Sequence, residues 1–337
     1  MTGYILYGGE LSLFTRKLEA ALNFYRAPFE MVAKTSADAA LIETRAGTHQ
    51  VPVLKTPENW MLADTTPIMM MLDGRFPDRA MFPRGEMGVL VHVLEEFLDE
   101  WVARVMVHYR WHYPASAEFA SLRIAQGDAD AAARVRAWGP RACRATGTET
   151  TSQQRAAEAE YRDLLAAAES QLRQTAFLLG DRPTAVDCMV LGGLRAHTYM
   201  DPDPKKVVAG FPTVVAWCQH RADEWQGGGE LAPTDAPTDF AQHLLAVIPD
   251  TYGRFVLANR EAQLTGAKAF QVETYGEMAG YLSRPYPERS RQMVAKRIDS
   301  LDTQSPIRGW LQAHRLTDVF ASSDGNDHRQ PSNTPGT

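Results

Sequence analysis

The sequence predicts two folded parts of different class: an α/β layer over residues 1–80 and an all-helical part over residues 86–230, with a helical extension over 238–320. Three observations carry this. Before residue 80, short runs rich in β-branched and aromatic residues alternate with an amphipathic helical pattern. Phe82-Pro83 and Gly85 then punctuate the chain. Beyond them, apolar residues recur at the three- and four-residue spacing of a buried helix face.

In order, residues 4–7 read as a strand that Gly8-Gly9 ends, and 11–25 as a helix whose Leu18, Ala21, Leu22 and Tyr25 share one face. Residues 29–33, 51–55 and 60–63 are the next strands, the last two joined by the turn Pro57-Glu58-Asn59. Residues 65–76 are helical and stop at Pro77. A long helix follows over 86–113, then helices over 116–137, 153–178, 184–200 and 212–224, with a polar loop expected at 139–152. Gly- and Pro-rich 225–239 marks a second boundary. Residues 240–264 read as helices, 270–283 as a possible hairpin around Gly276, and 290–301 as a basic amphipathic helix. The Ser-, Asn-, Gly- and Pro-rich tail, 321–337, is expected to be disordered because it has too little apolar surface to bury.

Composition narrows the function. The formal net charge of -6 argues against a dedicated nucleic-acid or anionic-membrane surface. Cys143, Cys188 and Cys218 are scattered, with no ligand-like spacing to histidine, so no disulfide framework and no metal site are expected, and a reducing, cytoplasmic location is. No signal peptide and no membrane-spanning run are read, and no Gly-x-Gly-x-x-Gly or Walker loop marks a nucleotide or flavin.

Two places carry chemistry. Pro52 stands at the start of a strand, where a proline does not break the ladder. A cis bond there would turn the backbone of Val51 outward, toward strand-like pairing with a peptide. Asp64 and Thr65 stand at a helix start, where N–H groups and a hydroxyl hold a carboxylate and an Asp holds an amine. Together they describe a seat for a small zwitterionic peptide. Farther on, Thr184 and Asp187 have capping-box spacing and open a buried helix.

Four segments, in this order, resemble the cytosolic glutathione transferase superfamily: Tyr7 to Lys17 with Ser12, Val51-Pro52-Val53-Leu54, Leu62 to Ile68 with Asp64-Thr65, and Leu179 to Asp187. The resemblance spans roughly residues 3–225. It implies a thioredoxin-like N-terminal domain, an all-α C-terminal domain, glutathione as co-substrate with no further cofactor, and a homodimer. The form is that of a serine-type bacterial-like member with an extension. Ser12 would stabilise the thiolate, Val51 and Pro52 would meet the peptide backbone, and Asp64 and Thr65 would anchor the γ-glutamyl end. Gln50 would reach the glycine carboxylate. Asp64 stands where the family usually has Glu, one methylene longer. Tyr7 is the rival hydroxyl, and Arg16 a second electrostatic helper.

A free thiol has a pKa near ~8.5, and lowering it by two units takes about 2.7 kcal/mol, within reach of one charge-assisted hydrogen bond plus a helix terminus. The absence of cysteine at positions 12 and 15 disfavours thiol–disulfide exchange by the protein itself. For the electrophile, the aromatic and basic cluster His108 to Tyr113 offers Tyr109 and Arg110 as acceptor-site candidates. The Arg-rich stretch 284–297 is read as a solvated or subunit-facing surface. The expected function is glutathione-dependent transfer or conjugation to a small electrophile. The alternatives are a non-catalytic binding module on the same fold, and a glutathione-dependent dehalogenase, isomerase or reductase.

Overall fold

The computed structural model describes residues 3–34, 37–220 and 225–322. The expected disordered tail lies outside the described residues from 323 onward, as does the end of the helix read over 212–224.

The first layer runs β1 (Tyr4–Gly8), α1 (Leu13–Tyr25), β2 (Phe29–Ala33), α2 (Ala39–Ala46), β3 (Val53–Lys55), β4 (Met61–Ala63) and α3 (Thr65–Arg75). The strands order as β2-β1-β3-β4, with β1 and β2 parallel and the other pairs antiparallel. A parallel neighbour demands a crossover, and α1 supplies it. Leu6 pairs with Leu54 and both are fully buried, so the register is set by apolar side chains on the covered face. Tyr25 clamps α1 to α3: its hydroxyl donates to Met69 O at 3.0 Å and meets Asp73 at 2.5 Å. This mixed sheet with its helices is a thioredoxin-like domain.

The helical domain begins with α4 (Glu86–Phe97), which continues through a π-helical turn at Leu98–Val102 into α5 (Ala103–His112). Then come α6 (Pro114–Ile124), α7 (Ala129–Arg136), α8 (Gly139–Ala145), α9 (Thr151–Leu172), α10 (Ala185–Gly193), a second π turn at Leu194–Thr198, α11 (Pro202–Val208) and α12 (Pro212–His220). Two expectations change here. The helix read over 116–137 is broken: Gln126 and Gly127 take positive φ, and Asp128 restarts the helix by accepting from Ala131 N–H at 2.8 Å. The loop read over 139–152 contains α8, since Pro140 is harmless in a first turn and Cys143 is buried. Asp187 organises the start of α10 by accepting from Leu178 N–H and Thr184 N–H, each at 2.8 Å.

Beyond residue 238 the chain forms α13 (Asp239–Val247), a π turn at Pro249–Gly253, α14 (Arg254–Thr265), the hairpin β5 (Ala269–Thr274) and β6 (Glu277–Leu282), α15 (Pro285–Asp299) and α16 (Pro306–Ala313). Tyr275 and Gly276 both have positive φ, the geometry of a two-residue hairpin turn. Phe240, Leu244, Leu245, Ile248 and Tyr252 are fully buried and belong to the same apolar cluster as the rest of the chain. The extension is therefore part of the core, and its hairpin and α15 reach the cleft between the other two parts.

Candidate functional site

A cleft of about 870 Å³ lies between the thioredoxin-like layer, the α4–α5 helix and the extension. Ser12, Gln50, Val51, Pro52, Asp64 and Thr65 all line it. The sequence scatters these residues over more than fifty positions; the sheet gathers them. The Val51–Pro52 bond is cis, and Val51 lies two residues before the ladder that pairs Val53 with Tyr7 and Ala63. Tyr7 and Arg16 are not among the lining residues; Arg16 pairs with Glu19 at 2.6 Å along its own helix.

Ser12 is the N-cap of α1, and its Oγ accepts from Thr15 N–H at 3.2 Å. A serine hydroxyl has one donor and two acceptor positions. The cap uses an acceptor, so the O–H remains to donate into the cleft. The first turn of α1 is held by close backbone packing on α10: a Cβ on Gly192 would lie 2.7 Å from Leu13 O and 2.9 Å from Lys17 N. Only glycine permits that approach.

Asp64 precedes α3 at φ 78°, a region that costs a non-glycine residue of order 1–3 kcal/mol. Its side chain does not cap α3. Instead Tyr286 O–H donates to one carboxylate oxygen at 2.7 Å, and Arg289 to the other at 2.9 Å. Both come from α15. The Arg-rich stretch is thus corrected from a solvated or subunit-facing surface. Arg284 and Arg289 line the cleft, and Arg291 is fully buried, paired with Glu288 and donating to Val319 O and Ala321 O. Segment 284–297 reads as surface from charge count alone. The spacing of Tyr286 and Arg289, three apart after the Pro285 start of a helix, is the signal that puts them on one face.

Four buried acids follow one another on the α4–α5 helix, Glu95 and Asp99 on one stripe and Glu96 and Glu100 on the next. Each stripe has its own partners. Lys17, fully buried, binds Glu95, Asp99 at 2.6 Å and Thr66 Oγ1 at 3.1 Å. Burial alone would lower the Lys17 pKa, but Asp99 and Glu95 raise it above the ordinary lysine value. Glu96 is held by Tyr252 at 2.7 Å and by Ser290, both from the extension. Glu100 has Arg284 at 3.7 Å, and burial, with Asp99 and Asp64 nearby, pushes its pKa up to about 8.

That shift has a sign for stability. Folded Glu100 holds a proton that the unfolded carboxylate has lost, so its contribution is full below the unfolded pKa and is lost as pH rises through about 8. The slope approaches at most about 1.4 kcal/mol per pH unit. Denaturant midpoints measured from pH 5 to 9 should therefore fall less steeply for Glu100→Gln than for the parent protein. Identical slopes would assign the proton elsewhere.

The acceptor-site candidates from sequence need correction. Tyr109 is buried against Tyr113 and Tyr161, with ring centroids 5.8 and 5.9 Å away. Arg110 is buried and saturated: Nε meets Asp201 at 2.9 Å, and its terminal nitrogens reach Asp201, Leu11 O and Ala196 O. Neither lines the cleft. The helical side chains that do include Met106, Arg104 and Trp101, with Phe255 and Tyr281 from the extension opposite. Arg104 stacks 4.2 Å from the Trp101 ring and donates to Glu160 at 3.1 Å. Tyr281 comes close because residue 147 is glycine; a Cβ there would sit 2.2 Å from its ring. His197 also borders the cleft, its pKa lowered to about 4 by burial and by Arg110, so it is neutral near pH 7. Sequence could not assign these, because aromatic residues at helical spacing look alike whether they face a core or a cleft.

Among the described residues, no helix is long and apolar enough to cross a membrane, and no group of three or more His, Cys, Asp or Glu is arranged to hold a metal.

Comparison with known proteins gives two family-model matches and a set of similar folds. Residues 6–80 match the model for the glutathione S-transferase N-terminal domain, and residues 132–223 the model for its C-terminal domain. Similar solved structures include a glutathione S-transferase from Rhodospirillum rubrum F11, 18% identical, covering 71% of this chain and 98% of that one at a TM-score of 0.45. One from Methylobacillus flagellatus KT with GSH bound is 15% identical, covering 66% and 97% at 0.43. The beta-etherase LigF from Sphingobium sp. strain SYK-6 is 16% identical, covering 66% and 98% at 0.46. No curated protein sequence gives a significant match. The chain is similar to the glutathione S-transferase N-terminal domain over residues 6–80 and to its C-terminal domain over residues 132–223, on a thioredoxin-like layer followed by helices.

Proposed function

We propose that this chain is a glutathione-dependent transferase of the serine type, joining the thiol of glutathione to a small electrophile. One observation carries the reading. Ser12 caps α1 through its oxygen while lining the same cleft as Val51, Asp64 and Thr65. The tripeptide's backbone would pair with Val51, its glycine end would lie toward Gln50, and its γ-glutamyl end would lie at Asp64 and Thr65. The sulfur then falls beside Ser12. The thiol proton leaves to solvent, the Ser12 O–H donates to the sulfur, and the N-terminus of α1 adds its partial positive charge. The thiolate attacks the electrophilic centre, a carbon–sulfur bond forms, and the leaving group departs with its electron pair. Trp101, Phe255 and Tyr281 offer an aromatic wall for the electrophile. A second copy of the chain as partner belongs to the same reading, with sedimentation as its check.

Ser12→Ala tests it. The thiolate absorbance of bound glutathione should vanish near neutral pH, and kcat/KM toward a chlorodinitrobenzene acceptor should fall about 10²–10³-fold, the usual cost of losing one preorganised donor. Stability should drop by only about 1 kcal/mol for the lost cap. Ser12→Thr, which keeps a hydroxyl, should retain part of the signal. A full thiolate signal in Ser12→Ala removes Ser12 from the chemistry.

A further inference from the structure

We propose that Arg289 and Tyr286, on α15 of the extension, complete the γ-glutamyl subsite: Arg289 takes the ligand's α-carboxylate, and Asp64, oriented by Tyr286, takes its ammonium. The inference rests on the glutathione reading and adds residues that lie outside both matched domains, since those end at residue 223.

An amino-acid end presents one cation and one anion side by side, so its seat needs both charges at matching separation. The thioredoxin-like layer supplies Asp64 and, at the start of α3, backbone N–H groups with partial positive charge only. The full positive charge comes from α15. Arg289 lies 2.9 Å from Asp64 and Tyr286 2.7 Å, and all three line the cleft. Neither Asp64 nor Arg289 is saturated by this. A carboxylate has about four acceptor positions, of which two are used, and a guanidinium has five donors. The Arg289 side chain is 66% exposed, so its other donors can turn to a ligand without breaking the pair.

The backbone makes the same point. Asp64 sits at a costly φ and yet does not cap its helix, so its carboxylate is turned away from the bond a cap residue usually makes. With the Arg289 side chain 66% exposed, the ion pair is too solvent-screened to justify that geometry on stability grounds. Asp99 and Glu100 line the same cleft as Asp64, and Arg284 stands 3.7 Å from Glu100.

Calorimetric titration of the full chain with three ligands tests this. The ligands are glutathione, its 4-aminobutyryl analogue, which lacks the α-carboxylate, and its glutaryl analogue, which lacks the ammonium. Arg289→Ala should weaken glutathione about tenfold to a hundredfold, the range for a charge-assisted hydrogen bond, and leave the aminobutyryl analogue at parental affinity. Tyr286→Phe should weaken glutathione and the aminobutyryl analogue but spare the glutaryl one, which a general loss of structure would not do. Arg289→Ala binding glutathione as well as or better than the parent overturns the proposal and makes the contact a mere cover. An equal loss for the aminobutyryl analogue overturns it too. If the parent protein binds none of the three, the glutathione reading itself falls; if it binds and Arg289→Ala matches it, only this assignment does.

Discussion

Lys17→Met is expected to lower the unfolding free energy by about 3–5 kcal/mol, the cost of removing one partner from a buried ion cluster. Lys17 is completely shielded from solvent, and it is the cation that Glu95 and Asp99 share. Its loss strands two carboxylates in the interior, with Thr66 still donating to Glu95 at 2.8 Å. The penalty should shrink in acid. Burial already pushes the Glu95 and Asp99 pKa values up even with Lys17 present. Without it they rise further, the folded state takes up protons, and stability is regained as pH falls toward the ordinary carboxylate range. Adding Asp99→Asn to Lys17→Met should recover part of the loss at neutral pH, since one of the two stranded charges is then gone. Urea denaturation of the three proteins at two pH values is sufficient. A single-variant cost under about 1 kcal/mol would mean the cluster is wetter than its geometry says. The effect should reach the cleft as well, because Lys17 lies on the second turn of the helix that Ser12 caps, and Asp99 borders the cleft directly.

Much of the N-terminal layer was legible because its signals are local. Alternating apolar residues at 4–7, a glycine break and a proline before a short strand each constrain a few φ and ψ angles, and the sheet follows from satisfying them together. The candidate residues Ser12, Val51, Pro52, Asp64 and Thr65 fall on the edges of those same elements, so reading the elements placed the residues. What stayed hidden depends on distant pairing. Nothing within reach of Asp64 in the sequence says that residues more than two hundred positions later will occupy its carboxylate. Four acids on one helix, Glu95, Glu96, Asp99 and Glu100, look like a solvated stripe until Lys17, Tyr252, Ser290 and Arg284 arrive from elsewhere to bury them. Composition misled at residues 139–152 in the same way. Gly, Pro and Thr suggested a loop, while Pro140 at a first turn and buried Cys143 are also how a short helix starts and docks.

Arg110→Met separates the two roles an arginine in an aromatic cluster can have. A residue that binds the acceptor should, when truncated, raise the acceptor KM and leave stability nearly alone. The geometry requires the reverse. Arg110 meets Asp201 through two nitrogens at 2.9 and 3.1 Å and caps the carbonyls of Leu11 and Ala196 at 2.6 and 2.8 Å. Removing it leaves Asp201 as a fully buried charge beside His197, which is 3.6 Å away and neutral near pH 7. The expected cost is about 3–5 kcal/mol, and Asp201→Asn should cost a similar amount by stranding the cation instead. Lysine should not substitute, because one ammonium cannot reproduce a forked pair and two carbonyl contacts at once. Leu11 is the residue immediately before Ser12, so Arg110 ties the helical domain to the backbone that presents the hydroxyl. Measured well below the melting transition, Arg110→Met should keep the acceptor KM while kcat falls and the pKa of the bound thiol, followed by its thiolate absorbance, moves up. A raised acceptor KM with an unchanged melting curve would return Arg110 to the substrate; a lowered melting transition with an unchanged KM fixes it as the strut behind Ser12.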